Sequence, residues 1–149
     1  MVTVVTIYNG DQKMLLNMWY PLIHKHNEVE FILVHDELPK IPVVKNLRTH
    51  QGKVKDAVKK AKNKTVFITP LHCVPTYRLM TLLPLLGNRN ECIRPKWYKF
   101  MDPSFEGEMS PAFSVLRDQY DGESVFAYID KYQPTIRNKG EMYLVEKSA

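Results

Sequence analysis

Two cysteines, Cys73 and Cys92, are all that the chain contains, and neither lies in a CxxC pair or at a zinc-ligand spacing with histidine. A disulfide framework and a structural zinc site are therefore not expected, and a reducing, cytosolic setting fits best. Long apolar runs are missing too: none approaches the roughly 20 residues that span a bilayer. The N-terminal MVTVVTIYNG lacks a basic region followed by a long apolar segment, so no secretory leader is expected. Repeats, low-complexity tracts and flexible linkers are also absent, which disfavours solenoids and multi-domain arrays.

What is present suits one globular domain over residues 1–149: 44% hydrophobic and 25% charged residues, with a net charge of +5. That mild excess favours an anionic partner, such as a nucleotide, a nucleic acid or an acidic surface, without choosing among them.

The stretch from Lys64 to Pro75 organises the chain. Val66, Phe67 and Ile68 form an apolar run that fits a central strand buried on both faces. Pro70 has no amide hydrogen with which to continue a ladder, so Leu71, His72 and Cys73 leave the strand at its carboxyl end, where open α/β sheets bind ligands. This makes His72 a site candidate.

Before it, Val2–Tyr8 is β-branched and apolar on both alternations and ends at Asn9-Gly10, a first buried strand. Asp11 caps a helix to Tyr20 with Met14, Leu15, Met18, Trp19 and Leu22 on one stripe, and Pro21 is expected to kink or end it. Val29–Val34 makes a second strand ending at His35-Asp36-Glu37, which completes a βαβ unit of parallel strands. A short strand is expected around Pro42–Leu47. A helix follows over Gln51–Asn63, with Val54, Ala57, Val58 and Ala61 inward and five lysines outward. Those lysines suit either a solvated face or nucleic acid, although no aromatic interleaves with them.

Thr76–Leu86 reads as a helix kinked or shortened by Pro84 and stopped by Gly87-Asn88. Cys92–Phe100 is expected as a further strand of the same sheet. Glu123–Tyr132 is expected as a helix with Val125, Phe126 and Ile129 inward, and Glu141–Val145 as a last strand. The alternation predicts an α/β fold, with a mostly parallel central sheet between two helical layers.

Order and local phrases resemble the GT-A fold of nucleotide-sugar glycosyltransferases, especially the family 2 type, over most of the chain. Ile7-Tyr8-Asn9 stands where that family's first strand ends near the nucleotide. Val34-His35-Asp36 is similar to the strand end whose acid contacts the base, and Asn46–Gly52 is similar to the segment that opens the next helix. The resemblance thus implies nucleotide-binding roles for Tyr8, Asn9, Asp36 and Gly52. Ser110–Arg117, then Tyr120-Asp121-Gly122 and Glu123-Ser124, resemble the family's later segments in order and spacing. They imply Glu123 or Asp121 as the catalytic base.

At the metal-binding Asp-x-Asp the chain departs, having Pro70-Leu71-His72. The first carboxylate is missing, and His72 is left as the candidate ligand for a manganese or magnesium ion, which prefers oxygen donors. Weak or absent metal dependence is expected. Two functions follow from the resemblance: transfer of a sugar from a nucleotide sugar to an acceptor, or a non-catalytic relative that holds a nucleotide, nucleic acid or partner protein. A purely structural subunit is the third reading.

Overall fold

A computed structural model describes residues 1–86, 91–99, 102, 104–132, 135–137 and 141–144. The chain begins with β1 (Val2–Ile7), followed by α1 (Gln12–Met14), a π-helical segment (Leu15–Trp19) and α2 (Tyr20–Lys25) in unbroken succession. Next come β2 (Glu30–His35), β3 (Leu47–Gln51), α3 (Val54–Lys59), β4 (Thr65–Pro70), β5 (Cys73–Pro75) and α4 (Tyr77–Leu86). The remainder holds β6 (Glu91–Ile93), β7 (Lys96–Lys99), β8 (Glu108–Met109), β9 (Phe113–Leu116), α5 (Val125–Tyr132), β10 (Thr135–Arg137) and β11 (Glu141–Leu144).

The main sheet has the order β3-β2-β1-β4-β9. Its first four strands are parallel, and β9 closes the edge antiparallel to β4. Strand alternation sends side chains to two separate cores. Val2, Val4, Phe31, Leu33 and Phe67 meet Met14, Leu15, Trp19 and Ile23 of the first helical run and Leu79, Met80 and Leu83 of α4. Val5, Ile32, Val34, Val66 and Ile68 meet Ala57 and Val58 of α3 and Val125 and Tyr128 of α5. The result is three layers, α/β/α. Each fully buried Leu, Ile or Phe stabilises them by about 1.5–3 kcal/mol.

At the amino ends of the strands, buried Glu30 accepts from Thr3 Oγ1 at 2.8 Å and the Lys62 amide at 2.9 Å, and pairs with Arg48 at 2.8 Å. These contacts join β1, β2, β3 and the end of the α3 connection.

Several elements differ from expectation for physical reasons. Pro21 does not end the helix. The π segment, in which the Tyr20 amide donates to the Leu15 carbonyl, shifts the bonding register just ahead of it, and Pro21 falls in the first turn of α2. The strand expected around 42–47 begins only at Leu47 and runs to Gln51. Residues 92–99 do not join the main sheet. Pro95 splits them into β6, which pairs with β10, and β7, which pairs with β11 and β8, while β9 takes the place beside β4. Phe126 is 61% exposed instead of inward, because the buried stripe of α5 runs through Val125, Tyr128, Ile129 and Tyr132 and leaves Phe126 off it. The helix stop at Gly87-Asn88 and the strand ends at Phe100 and Val145 lie outside the described residues. No helix of the described residues is long and apolar enough to cross a membrane.

Candidate functional site

Parallel pairing sets one rim. Ile7 pairs with both Val34 and Pro70, and Val34 pairs with His50. Asn9, Asp36, Gly52 and His72 therefore each stand two residues beyond the same level, at the carboxyl ends of β1, β2, β3 and β4. Tyr8 extends the ladder by one bond, its amide donating to the Val34 carbonyl at 2.8 Å.

Local chemistry fixes each position. Asn9 Oδ1 accepts from the Asp11 amide at 3.0 Å, Gly10 takes φ +94°, and Asp11 Oδ1 caps the helix at the Met14 amide at 3.1 Å. Asp36 is exposed, and its carbonyl accepts from Gln51 Nε2 at 3.0 Å. Gly52 has φ +131° and donates its amide to the His35 carbonyl at 3.3 Å, so the backbone there is held in a region that disfavours side chains. The turn carrying His72 is clamped twice: the Trp19 indole donates to the Leu71 carbonyl at 2.7 Å, and Thr69 Oγ1 donates to the Cys73 carbonyl at 2.8 Å. The His72 ring meets Trp97 of β7 edge to face at 6.3 Å.

Beneath this rim are two buried polar atoms that sequence reasoning missed, Thr6 Oγ1 and His35 Nδ1, neither with a hydrogen-bond partner in the structure. They stand on neighbouring strands and on the same face of the sheet. The available signal was a polar residue near the carboxyl end of each of two largely apolar strands.

The two acids expected to serve catalysis stand in the turn that leads into α5, packed against the first turn of α3, the helix that follows Gly52 of the rim. Asp121 pairs with Lys131 at 2.7 Å, a contact that raises the lysine's pKa, and its amide donates to Glu123 Oε2 at 3.0 Å. Gly122, with φ +97°, abuts Lys55 of α3 so closely that a Cβ would come within 3.3 Å of it. Asp121-Gly122 thus holds the pair against the start of α3, which leaves the rim just after Gly52. Glu123 Oε1 is buried and unpartnered. Asn46 has a structural task, its amide group serving the carbonyls of Ile23, His26 and Val29.

A divalent cation does not fit the donors at His72. Within Pro70-Leu71-His72 the imidazole is the one ligating side chain, a poor match for a cation that prefers several oxygen donors, and no group of three or more His, Cys, Asp or Glu among the described residues is arranged to hold a metal.

No protein-family model and no curated protein sequence matches the chain. Solved structures do. S. aureus TarS 1-349 in complex with UDP-GlcNAc superposes with a TM-score of 0.69 at 10% identity, covering 99% of this chain and 59% of that one. The mannosyltransferase PcManGT from Pyrobaculum calidifontis, in complex with GDP-Man and Mn2+, gives 0.64 at 12% identity, over 99% and 58% of the two chains. The 2-C-methyl-D-erythritol 4-phosphate cytidylyltransferase from Thermus thermophilus gives 0.59 at 9% identity, over 93% and 89%. The chain thus spans under two thirds of the TarS and PcManGT chains. With a mostly parallel five-stranded sheet between helical layers and these neighbours, the chain has a GT-A-type glycosyltransferase fold.

Proposed function

We propose that the protein binds a nucleotide sugar across the carboxyl rim of its main sheet and transfers the sugar to an acceptor hydroxyl. The observation that carries this reading is the common register of Ile7, Val34 and Pro70, which gathers Asn9, Asp36 and His72 at one edge. In this reading Asp36 accepts hydrogen bonds from the base or ribose, Tyr8 and Asn9 flank the nucleotide, and Gly52 lets the backbone approach it closely. His72 faces the diphosphate. Of the two acids, Glu123 is the better base, since Asp121 is committed to Lys131 while one Glu123 oxygen has no partner. No step passes through a metal ion, because the donor set at Pro70-Leu71-His72 does not suit one.

That same missing carboxylate favours a second reading, a protein that holds the nucleotide sugar without turning it over. Calorimetric titration with uridine and guanosine diphosphate sugars, with and without a chelator, followed by assay for released nucleoside diphosphate, separates the two. Binding unaffected by chelator is expected under both, and nucleotide release only under the first. No binding by either class of nucleotide sugar overturns both.

A further inference from the structure

The positive charge of this chain is concentrated in one place. Eight of its 21 lysines and arginines lie between residues 45 and 64 with a single acid, Asp56, leaving thirteen basic against fifteen acidic residues elsewhere. The stretch forms the sheet's free edge strand β3, the adjoining α3 and the links around them.

Three clefts run along that edge, joined by shared residues. One of about 250 Å³ is lined by Lys45, Arg48 and Lys62 together with Glu28 and with Glu30, whose charge Arg48 offsets. A second of about 220 Å³ lies between Arg48, Thr49 and Lys60. Thr49 also lines the third, about 220 Å³, whose other walls are the apolar side chains of the 38–44 loop and Leu47. On that loop Val43 is 99% exposed and Leu38 is 59% exposed. With Ile41, Val44 and Leu47 these two aliphatic side chains line one apolar cleft beside a lysine-rich strip, a mixed apolar and cationic surface.

We infer that this edge docks the protein on an anionic lipid surface, with the lysines at the headgroups and Val43 and Leu38 entering the interface. Charge complementarity supplies attraction, and apolar insertion supplies the part that salt does not screen. Nucleic acid is the weaker match. The strip has no aromatic residue between 45 and 64, its one arginine is engaged by Glu30 at 2.8 Å and by the Lys60 carbonyl at 2.8 Å, and exposed aliphatic side chains gain nothing from a phosphate backbone. The inference goes beyond the nucleotide reading and stands without it.

Co-sedimentation with vesicles tests it. The intact protein is expected to bind phosphatidylcholine vesicles containing about 30% phosphatidylglycerol, to ignore pure phosphatidylcholine, and to release progressively as salt rises. Replacing both Lys60→Glu and Lys62→Glu should weaken binding about 25-fold or more, at about five-fold for each positive charge lost. Val43→Asp, at a fully exposed position that does not bear on folding, should weaken it roughly ten-fold and leave less salt-resistant binding. Arg78→Glu on α4 makes the charge change of either single lysine substitution off this face and should have little effect. Absence of binding to anionic vesicles, equal binding to neutral ones, equal loss in Arg78→Glu, or indifference to Val43→Asp overturns the inference. So does tighter, Lys60- and Lys62-dependent binding to an RNA or DNA oligonucleotide than to vesicles.

Discussion

The indole of Trp19, within the π-helical segment, donates a 2.7 Å hydrogen bond to the carbonyl of Leu71, in the turn that presents His72. Both residues are buried, at 0% and 1% exposure, so no water can replace the bond. Trp19→Phe keeps an aromatic ring and strands the carbonyl, which should cost about 1–3 kcal/mol in chemical denaturation. If the turn positions a ligand group, nucleotide affinity should fall beyond what the fraction folded explains.

Glu123 can be tested by charge alone. Glu123→Gln preserves size and removes the proton acceptor, so sugar transfer should fall by about 10²–10⁴-fold with nucleotide affinity nearly unchanged. Full activity in this variant would reject Glu123 as the base, and the free energy of unfolding checks that the turn with Asp121 survives.

His26 should make stability depend on pH. It is buried, with Nε2 unpartnered, and burial lowers its pKa below the ordinary 6.5; nearby Glu28 opposes this and Lys25 adds to it. The unfolded chain then takes up a proton more readily than the folded one. Stability from this group is full above pH 6.5 and is lost as pH falls toward the folded value. His26→Phe can keep a ring against Tyr77, 5.2 Å away, and should flatten that acid-side slope in urea midpoints measured across pH.

Both thiols should be silent in the folded protein. Burial pushes Cys73 up to about 12 and Cys92 up to about 11, and neither is accessible. A chromogenic disulfide reagent at mildly alkaline pH should therefore modify them at the rate of unfolding, not of a free thiol.

The parts of the fold legible in the sequence were those written in contiguous residues. Val2–Ile7 and Val66–Ile68 are apolar on both alternations because helices cover both faces, and Asp11 announces the helix it caps. The rim followed from these strands, since parallel pairing brings their ends together. The strand beside β4 was not legible: Phe113–Leu116 is only four residues long, and its pairing with residues 65–68 is a long-range choice that no local pattern records. Phe126 is not inward because the buried stripe of α5 runs through Val125, Tyr128, Ile129 and Tyr132, and the amphipathic tyrosines that fill it are hard to tell from surface residues in sequence. Pro21 sounded a stop that the π segment absorbs, a change of bonding register with no mark in composition. Thr6 lies within the expected first strand and His35 at the end of the second, and only packing shows that their polar atoms are buried without partners.

The central claim is that a nucleotide sugar lies across the carboxyl rim. Amide chemical-shift mapping in a titration with a uridine or guanosine diphosphate sugar tests it most directly. The largest changes are expected at Tyr8, Asn9, Asp36, Gly52 and His72, with little change at Glu30 and Arg48 on the opposite edge of the sheet. Saturable shifts confined to that opposite edge, or no shifts with either nucleotide, would contradict it.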